Sequence, residues 1–383
     1  MAEPFKNLVS PALVRAAVGP LQRAWPAFAG ERFAALATAG LEALELKARA
    51  MQVCAALEAT LPADFGTAAD VIETALAPAA QGVEQAGPAA LADGLRGWIL
   101  WPVGEYIARH GQEQPGRALA ALHAITQRFT AEFAIRPFIV RHPALAFATL
   151  QRWATDPSPQ VRRLVSEGSR PRLPWGLRLQ ALVQDPSPTL PLLAALQDDA
   201  SEDVRRSVAN HLNDIAKDHP ELVVHWLHEH LPGASPARRA LLRHASRTLI
   251  KQGHPGAMKA WGLGAAWRGE TVLELTPRRV GLGGELNLTL HLRSTHARPQ
   301  RLAIDYAVHH VKADGSRTPK VFKGWQIELP PHGATTRVKR HSLRPVTTRR
   351  YHGGEHVLSV QINGRTVAEA SFMLVMPKAV ERG

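Results

Sequence analysis

One octapeptide pattern, Asp-x-Ser-x-x-Val-Arg-Arg, occurs twice in this chain, as DPSPQVRR at 156–163 and DASEDVRR at 199–206. The copies lie 43 residues apart. A unit of that length is too small to bury a core alone, so repeats at this period stack on their neighbours and share one. In each copy an Asp or Ser can cap a helix whose first turn carries the arginines. DPSP returns at 185–188 without the arginines, and a weaker echo, SPARRALLRHASR, starts at Ser235.

Helix pairs at this period resemble HEAT repeats, and the rest of residues 1–270 also reads as helical. Proline and glycine clusters punctuate it roughly every twenty to thirty residues, as short helices joined by turns require. Leu41, Leu44, Ala48, Met51 and Ala55 follow the three-and-four spacing of one buried face. Near residue 270 the texture changes to period-2 alternation, in Glu285–Leu292, Leu302–His309, Trp325–Leu329, Val357–Ile362 and Ala368–Val375. Asn363-Gly364 is a strong two-residue hairpin signal, and Asp314-Gly315 marks another turn. The expected architecture is multi-domain: an all-α HEAT-like solenoid over 1–270, then a small all-β immunoglobulin-like sandwich over 271–383.

Charge is distributed unevenly. Residues 1–140 hold 11 Lys and Arg against 13 Asp and Glu, whereas residues 272–383 hold 18 against 8. A basic tail on a chain of net charge +13 fits a phosphate-rich partner. The longest strongly apolar run, Trp98 to Val103, is far too short to span a bilayer, so no membrane partner is expected. Cys54 is the only cysteine, which excludes an internal disulfide and a thiolate metal site. A buried, inert Cys54 and a cytoplasmic setting are expected, as is the absence of a signal peptide in MAEPFKNLVSPAL. His225, His228 and His230 lack the spacing of a familiar zinc site, and GLGG at 281–284 precedes a strand rather than opening a helix.

Residues 161–175, VRRLVSEGSRPRLPW, concentrate four arginines around one glutamate. Arg163 and Glu167 are four apart and share a helical face; Arg206, Asn210 and Asp214 form the equivalent stripe, and Arg239, Arg243 and Arg247 the third. Stacked side by side, such stripes place carboxylates within a cationic groove. The plainer reading gives Arg163 and Glu167 a surface salt bridge and leaves Asp214 a solvated acid with Lys217 as partner. Glu132 sits among Phe129, Phe133 and Phe138, where apolar neighbours would raise its pKa; it also suits the exposed face of an amphipathic helix. Trp175 reads either as core packing at a helix start or as a platform for an exposed base or sugar.

These segments, with EPFKNLVSPALV (3–14), LEALELKAR (41–49), RFTAEFAIRPFI (128–139) and VRRSVANHLNDIAKDHPE (204–221), make the whole chain resemble the AlkC family of bacterial alkylpurine DNA glycosylases, relatives of the HEAT-like AlkD enzymes. The resemblance implies hydrolytic excision of 3-methyladenine and 3-methylcytosine from double-stranded DNA. It implies a monofunctional reaction without metal or organic cofactor and without flipping the base into a pocket. By the same resemblance Glu132, Glu167 and Asp214 are the catalytic acids, Phe133 and Trp175 their aromatic neighbours, and Arg163 the backbone-gripping cation. Arg162, Arg170, Arg172, Arg205 and Arg206 are further expected DNA contacts. The segment from Arg337 to Glu355, with Arg340, Arg344, Arg349, Arg350 and Tyr351, is expected to be a loop that clamps the duplex. A monomer is expected. The competing expectation is a non-catalytic helical-repeat scaffold that binds DNA or protein, which would keep the arginines but need no inward acids.

Overall fold

The computed structural model describes residues 5–79, 88–263, 265–346 and 349–376. Among the described residues, seventeen α-helices run from Pro11–Ala16 to Pro255–Ala260, and eight strands follow from Gly269. Many of the helices begin on proline, as in Pro11–Ala16, Pro115–Thr126, Pro143–Trp153, Pro159–Gly168 and Pro220–His230. Proline at the first helical position sacrifices no hydrogen bond and presets φ, so these residues fix where each helix starts.

The repeated octapeptide has a local explanation. Asp156 Oδ1 accepts the Ser158 amide at 2.8 Å, and Asp199 Oδ1 accepts the Ser201 amide at 2.8 Å. The first arginine of each copy then folds back on the turn. Arg162 donates to the carbonyls of Asp156 and Pro157, and Arg205 to those of Asp199 and Ala200. Of the two candidate residue types, the aspartate organises the turn, and neither Ser158 nor Ser201 makes a side-chain cap bond. Val161, Leu164 and Val165 are fully buried, as their spacing predicts.

The face expected around Leu41 is displaced. Leu41–Ala43 is a separate 3-10 turn, and the helix spans Leu46–Glu58. Its buried side is Arg49, Ala50, Val53, Cys54, Ala56 and Leu57, whereas Ala48 and Ala55 are exposed. Cys54 is buried, and burial pushes its thiol up to about 12.

The chain forms two compact units, Met1–Asp218 with Ser235–Ala245, and His219–Ala234 with Ser246–Gly383. The second therefore joins the sandwich to the helices Pro220–His230, Arg247–Lys251 and Pro255–Ala260. That join rests on close backbone contact. Gly253 and Gly364, at φ +68 and +78, meet so tightly that a Cβ on Gly253 would lie 2.8 Å from the Gly364 Cα. Asn363 Nδ2 also donates to the Ala265 carbonyl at 2.8 Å.

The strands are β1 (Gly269–Thr276), β2 (Arg279–Gly281), β3 (Glu285–Ser294), β4 (Gln300–Val311), β5 (Arg317–Leu329), β6 (Ala334–Ser342), β7 (Gly354–Ile362) and β8 (Arg365–Val375). They form a three-stranded sheet, β1-β3-β6, and a five-stranded sheet, β2-β8-β7-β4-β5. Leu286, Leu288, Leu290 and Leu292 of β3 alternate inward against Ile304, Tyr306, Val308, Leu358 and Val360. The Asn363-Gly364 hairpin joins β7 to β8 as expected, with both residues at positive φ. β1, β2 and β6 lie outside the runs of period-2 alternation. β6, ATTRVKRHS, is an edge strand with mostly exposed polar side chains and lacks apolar alternation.

Three histidines are buried in this sandwich. His356 is fully buried and stacks on Phe372. His341 meets the Tyr306 hydroxyl at 3.1 Å, and His310 contacts Arg349. Burial pulls His310 down to about 3 and His341 to about 4, with Arg349 and Lys320 adding repulsion to both. Burial also lowers His356, assisted by Arg317. The unfolded chain, with histidines near 6.5, binds protons that the folded sandwich refuses, so stability falls as pH drops from about 6.5 toward 4. Calorimetric melts between pH 7 and pH 4 are expected to show a falling transition, with a shallower slope in His356→Phe. An unchanged slope in that variant would contradict this account.

Candidate active site

Glu132 lies in a turn just before the helix Arg136–Arg141, not on the amphipathic helix that was one expectation for it. Its side chain is 13% exposed. Thr130 Oγ1 donates to its Oε2 at 2.8 Å and Arg163 Nη1 donates to the same oxygen at 2.9 Å. Arg163 therefore does not pair with Glu167, although both lie on the helix Pro159–Gly168. Burial lowers the Arg163 guanidinium, but Glu132 and Glu167 outweigh it and hold it above its ordinary value.

Glu167, the penultimate residue of that helix, is 8% exposed. Its Oε1 accepts Arg170 Nη1 at 2.6 Å and its Oε2 accepts Ser207 Oγ at 2.5 Å. Asp214, on the helix Glu202–Ile215, is 3% exposed. Its Oδ2 accepts Arg170 Nε at 2.8 Å and lies 2.8 Å from Nη2, and its Oδ1 accepts Lys217 Nζ at 2.8 Å. The Lys217 partnership matches the plainer expectation, but the acid is buried rather than solvated. One guanidinium thus draws together the carboxylates of two successive repeats. Burial again opposes the Arg170 charge, and Glu167 and Asp214 prevail, raising it.

Arg170 was expected on DNA; its burial between two acids makes it an internal bridge instead. Arg162 is likewise engaged, with Asp199 at 2.6 and 2.9 Å, and Arg172 with Asp218 at 2.7 Å through two bonds. Arg205 is tied to its own turn. Arg206 is largely exposed and pairs with Glu202. Arg239 is exposed and Arg243 half-buried on the helix Pro236–Ala245, but Arg247 opens the next helix, so the third stripe is broken at Ser246. In the sandwich, Arg340 belongs to β6 rather than to a loop, and lies 3.3 Å from Glu285. Arg349 turns onto His310 and Tyr351 packs on the sandwich core, whereas Arg344 and Arg350 are exposed. Thr347 and Thr348 of that segment lie outside the described residues.

Several supporting residues were not singled out in the sequence. Arg136 is fully buried and donates to the carbonyls of Gly168 (2.8 Å) and Leu177 (2.5 Å), closing the loop that carries Arg170, Arg172 and Trp175. Burial pulls it down to about 10, Arg170 adds repulsion, and Glu132, Asp214 and Glu167 all act on it in return. Geometry links the three acids: Arg163, one turn before Glu167 on the same helix, holds Glu132, and Arg170 holds Glu167 and Asp214. A lone arginine in an apolar run, FAIRPF, was the available signal. His211, fully buried, meets the Ser166 carbonyl at 3.0 Å, and burial drives it to about 3, so it is neutral and donates. Ser207 and Thr130 gave no pattern that could distinguish them.

Two aromatic rings lie close to Glu132 in the chain. Phe133 stacks on Trp101 at 5.2 Å, and Phe129 meets Trp98 at 5.0 Å. Trp175 is 64% exposed, so core packing is not its role. Among the described residues no group of three or more His, Cys, Asp and Glu side chains could hold a metal ion, and no helix is long and apolar enough to cross a membrane.

Comparison with known proteins agrees with this architecture. Residues 270–376 match the family model described as "Uncharacterised protein YhaZ, C-terminal Ig-like domain". The uncharacterized protein YhaZ of Bacillus subtilis (strain 168) is 34% identical over 377 residues, covering 97% of this chain and 99% of its own. A solved structure of the Pseudomonas fluorescens alkylpurine DNA glycosylase AlkC, bound to DNA containing an abasic site analog, superposes with a TM-score of 0.88 at 34% identity, over 97% of this chain and all of that one. With near-complete coverage in sequence and in structure, helical region and sandwich together, the chain belongs to the AlkC family of alkylpurine DNA glycosylases.

Proposed function

We propose that this chain hydrolyses the N-glycosidic bond of cationic N3-alkylated bases, 3-methyladenine and 3-methylcytosine, in double-stranded DNA, leaving an abasic site. The observation that carries this reading is the Glu167–Arg170–Asp214 bridge with Glu132 held beside it by Arg163. The relative from Pseudomonas fluorescens was captured on DNA with an abasic site analog, the class of product this reaction leaves.

N3-alkylation makes the base a cation. When the C1′–N bond breaks, the electron pair leaves with the base, which becomes neutral, and positive charge passes to an oxocarbenium-like sugar. No general acid is needed, and preorganised carboxylates stabilise the charge that grows on the sugar. Water then adds at C1′ and must lose a proton. Of the six carboxylate oxygens, Glu132 Oε1 is the one without a hydrogen-bond donor among the described residues. We assign it the water, and Glu167 and Asp214 the sugar. Basic residues of the sandwich, Arg344 and Arg350 among them, clamp the duplex, and the base is not extruded into a pocket.

A scaffold that only binds DNA has no use for three desolvated acids, and substitution separates the two readings. With duplex containing 3-methyladenine, Glu132→Gln, Glu167→Gln and Asp214→Asn are each expected to bind within a few-fold of wild type but to release base roughly 10²-fold more slowly or worse. Release at the wild-type rate by all three variants would defeat the proposal.

Two further outcomes follow from the same geometry. Arg170→Ala leaves two buried carboxylates without their bridge and is expected to destabilise the fold by about 3–5 kcal/mol in urea titrations. Arg344→Glu with Arg350→Glu is expected to weaken binding to damaged and undamaged duplex alike and to reduce the salt slope by about 1 per lost phosphate contact.

A further inference from the structure

Trp175 occupies an unfavourable backbone. The Gly176 amide donates to the Leu173 carbonyl at 3.2 Å, closing a turn over Leu173–Gly176. Pro174 comes second and Trp175 third, at φ 64, the position that type II turns reserve for glycine or asparagine. A bulky residue there is strained, and such strain persists where the surrounding structure enforces it. The result is an indole pushed outward, five residues beyond Arg170.

Among the described residues that indole has one aromatic neighbour, Phe5, with ring centroids 5.9 Å apart. Phe5 is itself 49% exposed and sits edge-on to Trp98 at 5.1 Å and 87°. Trp98 continues to Phe129, three residues before Glu132. A strip of rings, Trp175–Phe5–Trp98–Phe129, therefore connects the loop that carries Arg170 to the turn that carries Glu132. Phe5 is its keystone.

The segment bearing Phe5 is fixed by a dedicated buried cation. Arg49, 2% exposed, donates to the carbonyls of Lys6 and Val9 at 3.1 Å and to those of Glu42 and Leu44 at 2.9 Å. Lys6 adds an ion pair with Glu45 at 2.9 Å. With all its described bonds on backbone carbonyls, Arg49 ties the N-terminal turn Phe5–Leu8, through Lys6 and Val9, to the segment 42–44.

We propose that Phe5 is a positioning residue of the active site: its ring fixes the Trp175 indole so that the exposed face meets the deoxyribose of the damaged nucleotide beside the three acids. The proposal deepens the glycosylase reading and rests on it for the identity of the ligand. The apolar C–H face of a sugar suits an aromatic surface, and an edge-packed ring pair is preorganised for it.

The test measures equilibrium binding to duplex containing a tetrahydrofuran abasic analogue and to undamaged duplex, together with single-turnover release of 3-methyladenine. Phe5→Ala is expected to weaken binding to abasic duplex about 3- to 10-fold, to slow base release by a similar factor, and to leave binding to undamaged duplex unchanged. Phe5→Tyr should restore both properties and Phe5→Leu should not. Phe5→Ala should add nothing in a Trp175→Ala background. Equal losses on both duplexes, full rescue by leucine, or additive effects in the double variant would each overturn the proposal. If wild type releases no base, the glycosylase reading fails, and the abasic-binding comparison still decides the role of Phe5.

Discussion

A single guanidinium, that of Arg170, lies between Glu167 and Asp214, and the candidate site depends on it. Two carboxylates taken nearly out of water, on adjacent helices, would each carry a desolvation penalty of several kcal/mol and would repel one another. The bridge offsets the repulsion and supplies donors to the two carboxylate oxygens, Glu167 Oε1 and Asp214 Oδ2, that Ser207 and Lys217 do not reach. It also sets geometry. A planar fork holding two acids fixes their separation to the dimensions of the guanidinium, which a lysine could not do. Arg136 extends the same logic one layer deeper by fastening both ends of the 168–177 loop from which Arg170 reaches inward.

Such a network is a poor way to gain stability, because well-packed hydrophobic residues of equal volume commonly do as well or better. Charge retained at this depth therefore points toward chemistry. The arginine-dense stretch 161–175 fits the same view, since its four arginines have four internal partners: Asp199, Glu132, the Glu167–Asp214 pair and Asp218. Its positive charge shapes the acids more than it coats a surface. In the proposed complex, phosphate attraction would fall to exposed cations such as Arg206, Arg239, Arg344 and Arg350.

Much of this was legible in the sequence, and the divide is physical. Periodicity reports burial, so Val161, Leu164 and Val165, and the alternating leucines of β3, were placed correctly. Helical spacing put Glu167 and Asp214 on equivalent stripes, and the structure joins them. Spacing could not say which cation each acid would meet, because Arg163 reaches 31 residues back to Glu132 and Arg170 reaches 44 residues on to Asp214. An arginine that contacts phosphate and one that bridges buried acids are the same letter in the same texture. The edge strand β6 was invisible for a related reason: an edge with both polar faces carries no alternation.

The three acids differ in their hydrogen bonding, and the proposed reaction would divide their labour along that difference. Asp214 has donors on both oxygens and almost no exposure; Glu167 has donors on both and little more; Glu132 shares both donors on one oxygen and leaves the other open. A carboxylate saturated by fixed donors is a stable source of negative field but a poor proton acceptor. A carboxylate with an open lone pair can take a proton from water. An oxocarbenium-like transition state needs both, a constant field at the sugar and one basic oxygen within reach of the incoming water. Hydrogen bonding thus differentiates side chains of the same chemical type, as it does wherever paired carboxylates are asked to perform distinct steps.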